Sequence, residues 1–204
     1  MTTNVLIAFY SRNGATETLA KALAEGALAE GAEVRLRRAR DIVGPEVMAQ
    51  VPGWAESAAR MDALYQAPTA EEIDWADAIV FGSPTRYGAV AAELKAYIDS
   101  LGGAWFQGKF NGKAGSAFSA TMTHHGGAES TTLSLYPIMA HLGLIIVPTG
   151  YADPVMFGAG TPYGAHAAVD GKQISTPPDS DLEVARYRGR RVARVAGALK
   201  TLRG

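Results

Sequence analysis

Three short runs of this chain, VLIAFY at 5–10, AIVFG at 78–82 and AGSAFS at 114–119, are apolar or small at nearly every position. A strand with one wet face alternates; a strand with no wet face must be covered by helices on both sides, as parallel strands are. Two further runs, Glu33–Leu36 and Leu144–Val147, bring the strand candidates to five. Helical spacing lies between them. Thr16–Glu30 carries Leu19, Leu23 and Ala27 at i, i+4 and i+8, with Lys21, Glu25 and Glu30 left for the wet side. Glu93–Leu101, Thr131–Leu142 and Asp181–Leu202 are likewise compatible with helices. Strand and helix alternating along one chain specify a doubly wound α/β sheet.

Five strands fit a flavodoxin-like α/β fold with a parallel sheet in the order 2-1-3-4-5 and helices on both faces. At 204 residues the chain holds one core, so 1–204 is expected to be a single domain. Two stretches exceed the minimal pattern: 41–70, rich in Pro, Gly, Ala and Met, and 150–178, which contains GAGTPYGAHAAVDGKQISTPP. Loops of that length in a small domain are functional or contact a partner subunit.

Charge and composition remove several function classes. The formal charge is −1, so no global field favours nucleic acid or an anionic membrane surface. Seven Lys or Arg lie between Arg186 and Arg203 with no acid among them, which suits a solvated helix end. Hydrophobic residues are 48%, without the long run of a membrane span. The chain has no cysteine, so disulfides, thiolate nucleophiles and iron–sulfur ligation are excluded and redox chemistry requires a cofactor. The opening MTTNVLIAFYSRNG lacks a basic n-region and a small-residue cleavage pattern, and the expected location is cytoplasmic.

In an open α/β sheet, ligands bind beyond the carboxyl ends of the strands where strand order reverses, here between strands one and three. Three loops end there. Ser11, Arg12, Asn13, Gly14, Ala15 and Thr16 combine hydroxyls, a glycine and a helix N-terminus, the donors a terminal phosphate needs. They lack the patterns for a triphosphate or a pyrophosphate. Pro84, Thr85, Arg86, Tyr87 and Gly88 form a turn able to line a planar ligand, with Arg86 to offset negative charge on it. Ala120, Thr121, Met122, Thr123, His124, His125, Gly126 and Gly127 crowd the end of the fourth strand. Adjacent histidines without nearby Cys or carboxylate partners do not suggest a metal site. A monophosphate cradle, an aromatic platform and a hydrogen-bonding rim at one sheet edge match FMN.

With SRNGAT, GSPTRYG, LGGAWFQGKFNGK, HGGAEST, AHLGLIIVPTGY, GAGTPYGA and VARYRGRRVA in this order, nearly the whole chain resembles the WrbA-type NAD(P)H:quinone oxidoreductases, a flavodoxin-like family. PTRYG and GTPYGA at this spacing carry the resemblance beyond flavodoxins in general. It implies bound FMN on the three loops, hydride delivery from NAD(P)H to flavin N5, two-electron reduction of a quinone in the same pocket with ping-pong kinetics, and a homotetramer. It further implies that Trp105 and His141 line the open space over the flavin, Trp105 in a neighbour's site, His141 as a flavin contact and proton donor. Asn13 stands where many relatives have a tyrosine that contacts the nicotinamide nucleotide, and an asparagine cannot stack on that ring. Two other readings compete: a one-electron carrier of the flavodoxin type, which would show a strongly acidic docking face, and a non-enzymatic module that uses the fold without flavin.

Overall fold

The computed structural model describes residues 2–158, 160–169 and 176–202. Residues 159 and 170–175 of the long second stretch, and Arg203 of the basic run, lie outside them. The five expected strands form: β1 (Asn4–Phe9), β2 (Glu33–Arg38), β3 (Ala78–Pro84), β4 (Ala114–Thr121) and β5 (Ile145–Ile146), all parallel in the order β2-β1-β3-β4-β5.

Helices close both faces because side chains alternate across each strand. Val5, Ile7 and Phe9 face α1 (Ala15–Ala29) and the last helix, Asp179–Lys200; Leu6, Ala8 and Tyr10 face the other core, against Ala92–Asp99 and Ala128–Leu142. The first pair crosses very closely. A Cβ on Gly26 would lie 1.9 Å from the Arg186 carbonyl oxygen, and one on Gly189 would lie 2.0 Å from that of Leu23. Two glycines therefore let backbone meet backbone.

The sheet differs from the five-strand expectation at one edge. β5 has two residues and pairs only with the start of β4, while β6 (Ala165–Ala168) pairs with its end, through Phe118–Thr121. The fifth position is thus filled by two pieces, the second inside the stretch expected as a loop. AHAA carries no β-branched residue, so only pairing with β4 makes it a strand.

The 41–70 stretch also folds. It holds α2 (Pro45–Met48) and α3 (Trp54–Leu64), followed by α4 (Glu72–Trp75). The remaining helices are α5 (Ala92–Asp99), α6 (Gly102–Phe106), α7 (Ala128–Leu142) and α8 (Asp179–Lys200). Among the described residues no helix is long and apolar enough to cross a membrane.

Candidate functional site

The carboxyl ends of β1, β3 and β4 meet at one pocket of about 300 Å³. Ser11, Arg12, Asn13, Ala15 and Thr16 line it from the first loop, Pro84, Thr85 and Arg86 from the second, and Ala120, Thr121, Met122, Thr123 and Gly126 from the third. Val169, just past β6, completes the wall and was not foreseen. Its N–H donates to the Thr121 carbonyl at 2.8 Å, so it arrives with the unexpected strand.

Local geometry explains the first loop. Gly14 caps α1 at φ 97°, a left-handed conformation that costs glycine nothing. Its N–H donates to Ser11 Oγ at 3.0 Å, which leaves the Ser11 hydroxyl proton to point outward. The first-turn N–H groups of α1 then add their donors and the positive end of the helix dipole. In the second loop, Thr85 Oγ1 accepts from the Gly88 N–H at 3.2 Å and from Thr131 Oγ1 at 2.9 Å, which ties the turn to α7. Tyr87 points away from the pocket, fully exposed, at φ 54°. Gly88 and Gly127 shape the backbone without lining the cavity.

The pocket is positive. Among the described residues Arg12 and Arg86 line it and no carboxylate does. Burial, and then the neighbouring Arg12 charge, lower the pKa of Arg86. A guanidinium keeps its proton in spite of this, and the charge of buried Glu93 favours it, so the two arginines leave the site positive.

Sequence reasoning missed the wall behind the first loop. Arg38, fully buried, donates to Asp41 at 2.6 Å, to Asp62 at 2.6 Å and to the Ser11 carbonyl at 3.2 Å. Asp41 also accepts from Tyr10 Oη at 2.7 Å and Trp54 Nε1 at 2.8 Å. Burial would raise the Asp41 pKa, but the bonds from Arg38, Tyr10 and Trp54 outweigh it and hold the carboxyl low. On the other side, Glu17 in the first turn of α1 accepts from Arg60 and Tyr65 of the same insertion. The 41–70 stretch is therefore a clamp on the phosphate-type loop. An Arg–Arg–Ala–Arg–Asp run at the end of a strand was the available signal, since β2 pairs only with β1 and its charges must find partners.

Four further expected site residues lie outside this pocket. His124 and His125 turn into an adjoining cavity, which shares Thr121 with the pocket, together with Glu129, His166 and Asp181. Burial raises Asp181 to about 6, against a lowering by His124. Trp105 and His141 sit together in a groove on the α5 and α7 face, walled by Ile98, Leu101, Pro137 and Ile138. There Trp105 Nε1 donates to the His141 carbonyl at 2.8 Å. Among the described residues no group of three or more His, Cys, Asp or Glu is arranged to hold a metal ion.

A cationic pocket at the switch point of this sheet is what the comparisons meet. Residues 1–154 match the family model described as NADPH-dependent FMN reductase. The chain belongs to that family. Its sequence is 41% identical over 200 residues to an NAD(P)H dehydrogenase (quinone) of Sinorhizobium fredii (strain NBRC 101917 / NGR234), covering 96% of this chain and 98% of the relative. Its structure superposes on a WrbA-like flavodoxin from Agrobacterium tumefaciens with a TM-score of 0.67 and 25% identity, over 97% and 99% of the two chains. An archaeal flavodoxin, at 17% identity and TM-score 0.62, shares the fold. With these relatives the chain is an oxidoreductase of the flavin-dependent, flavodoxin-like class.

Proposed function

We propose that this protein is an FMN-dependent NAD(P)H:quinone oxidoreductase whose flavin occupies the three-loop pocket. The convergence of the three strand-end loops on one cationic cavity carries the reading. The residues fit the cofactor. Ser11 and the α1 N-terminus offer donors to a phosphate, and Arg12 Nε is buried with no hydrogen-bond partner among the described residues. Pro84, Ala120, Met122 and Val169 give a flat ring apolar contact, with Thr85, Thr121 and Thr123 around them.

When bound, FMN supplies a centre that accepts a hydride and passes on two electrons. The chain's own residues do the rest. The first loop anchors the phosphate and fixes the depth of the ring. Arg86, already disfavoured in its charged form by burial and by Arg12, gains most when negative charge arrives on a ligand beside it. With one pocket for both substrates, nicotinamide and quinone take turns, and ping-pong kinetics follow.

Trp105 and His141 enter the reaction through assembly. In one chain their groove is separate from the three-loop pocket, and Trp105 is half exposed beside the more exposed Phe106. In a homotetramer this face would close over a neighbour's pocket, bringing Trp105 to the substrate and His141 within reach of the flavin or a quinone oxygen.

Anaerobic mixing of FMN-loaded protein with NADH or NADPH, then benzoquinone, tests the proposal. Flavin absorbance should bleach and then recover; a flavin that never bleaches ends the enzymatic reading. Parallel double-reciprocal plots test the alternation of substrates, and sedimentation of the holoprotein tests the tetramer.

A further inference from the structure

The arginines of α8 fall into two groups. Arg186 and Arg194 are paired with glutamates at the end of α1, Arg186 with Glu25 at 2.8 Å and Arg194 with both oxygens of Glu30 at 2.7 and 2.8 Å. Arg190 and Arg191 are half-buried, and among the described residues neither forms an ion pair with a carboxylate. Arg190 feels the charge of Glu30 without bonding it, and Arg191 uses only its Nε, on the Pro148 carbonyl at 2.9 Å. With Arg194, Tyr187 and Asp153 these two line a cavity of about 410 Å³. Asp153 is the one carboxylate among the described lining residues, and its Oδ1 already accepts the Val155 N–H at 3.0 Å.

A fourth guanidinium lies close to Arg191. Arg188 is fully buried, donates to Thr149 Oγ1 and to the Val147 and Tyr163 carbonyls, and among the described residues has no carboxylate partner. Its Nε is buried with no hydrogen-bond partner among those residues. Burial pushes its pKa down to about 10; Tyr136 opposes the fall and the Arg191 charge adds to it. Like charges one helical turn apart repel, and a buried charge without a counter-ion costs stability. Folding gains nothing from three unpaired guanidiniums against one carboxylate, whereas an anion in the cavity would neutralise them.

The free edge of a guanidinium is a fork of N–H groups that matches two oxygens of a phosphate. Arg190 and Arg194 are one turn apart, a rise of about 6 Å, and Arg191 lies between them, so their forks suit adjacent oxyanion groups better than a lone one. A single phosphate brings at most about two negative charges and balances fewer of these cations than a diphosphate does. The volume is that of a small-ligand site. We propose that this cavity binds a small molecule carrying a diphosphate group, at a site separate from the three-loop pocket. The two cavities share no lining residue, so the inference stands apart from the flavin reading.

Isothermal titration calorimetry of the protein as purified, with sodium pyrophosphate at constant ionic strength, tests the proposal. One pyrophosphate per chain should bind, about tenfold or more tighter than orthophosphate. Arg190→Gln should weaken pyrophosphate about tenfold or more, as loss of a charged hydrogen bond implies, and Arg190→Glu should abolish its binding. Arg191→Gln serves if the Arg190 variants do not fold. Arg186→Gln, on the paired side of the helix, should bind as the wild type does. ADP is the second titrant: tighter binding than pyrophosphate identifies a nucleoside diphosphate, and equal binding shows that the diphosphate alone is read, each supporting the site when Arg190→Gln weakens it. Absence of binding, equal affinity for pyrophosphate and orthophosphate, or an Arg190→Gln variant that titrates like wild type overturns the proposal. A duplex oligonucleotide that binds this face and that pyrophosphate does not displace would make it a nucleic-acid surface and overturn it as well.

Discussion

Replacing Glu17 with glutamine should make the protein less sensitive to acid by an amount the structure sets. The Glu17 carboxylate is buried in the first turn of α1 and accepts from Arg60 at 2.5 Å, from Tyr65 Oη at 2.8 Å and from Lys21 at 2.9 Å. Burial alone would raise its pKa, but these partners reverse the effect and hold it at about 2, against 4.5 for an ordinary glutamate. A carboxylate depressed by folding stabilises the native state fully above about pH 4.5, and the contribution is lost as pH falls toward 2. The shift corresponds to about 3 kcal/mol, and since Arg60 and Lys21 are each about half exposed, solvent screening trims this to roughly 2 kcal/mol. Glutamine keeps the shape and can still accept from Tyr65, but does not titrate. Urea unfolding at one protein concentration, at neutral pH and near pH 2, measures the difference. The variant should be less stable by about 2 kcal/mol at neutral pH, and the gap should close in acid. A gap equal at both pH values, or none at neutral pH, would refute the charge argument.

Gly189→Ala should destabilise by at least about 2 kcal/mol, although alanine is the better helix former by about 1, because its Cβ meets the Leu23 carbonyl at 2.0 Å. A thermal midpoint at or above wild type would contradict the close crossing. Ser11→Ala removes the acceptor for the Gly14 N–H and the hydroxyl proton beside it, and should raise the FMN Kd tenfold or more in a fluorescence titration. An unchanged Kd would take the phosphate away from this loop. His166 bonds Thr132 and Thr161 through its two ring nitrogens, and burial, then the Arg188 charge, lower its pKa to about 4. A base depressed by folding costs stability as pH falls from 6.5 toward 4, so its ring proton signals should hold still across neutral pH in NMR; titration near 6.5 would show the ring to be solvated.

Local pattern determined the frame of this protein. Short apolar runs such as VLIAFY, bounded by turn residues, read as parallel strands under two layers of helices, and chain connectivity then places the loops after β1, β3 and β4 at one edge. Ser11–Thr16, Pro84–Arg86 and Ala120–Thr123 were therefore legible as neighbours before any contact was known. What lies around them depends on pairings between distant parts of the chain, which periodicity does not encode. Trp54 meets Arg12 because Asp41 holds its indole, and Arg38 reaches Asp62 across 24 residues. AHAA becomes β6 only because β4 outruns the two residues of β5. Tertiary packing alone decided that His124 and His125 turn away from the pocket and that Trp105 and His141 share a groove on another face. The sequence determined where the strands must end; packing decided which side chains those ends receive, because a buried charge or an exposed ring takes its position from partners far away in the chain.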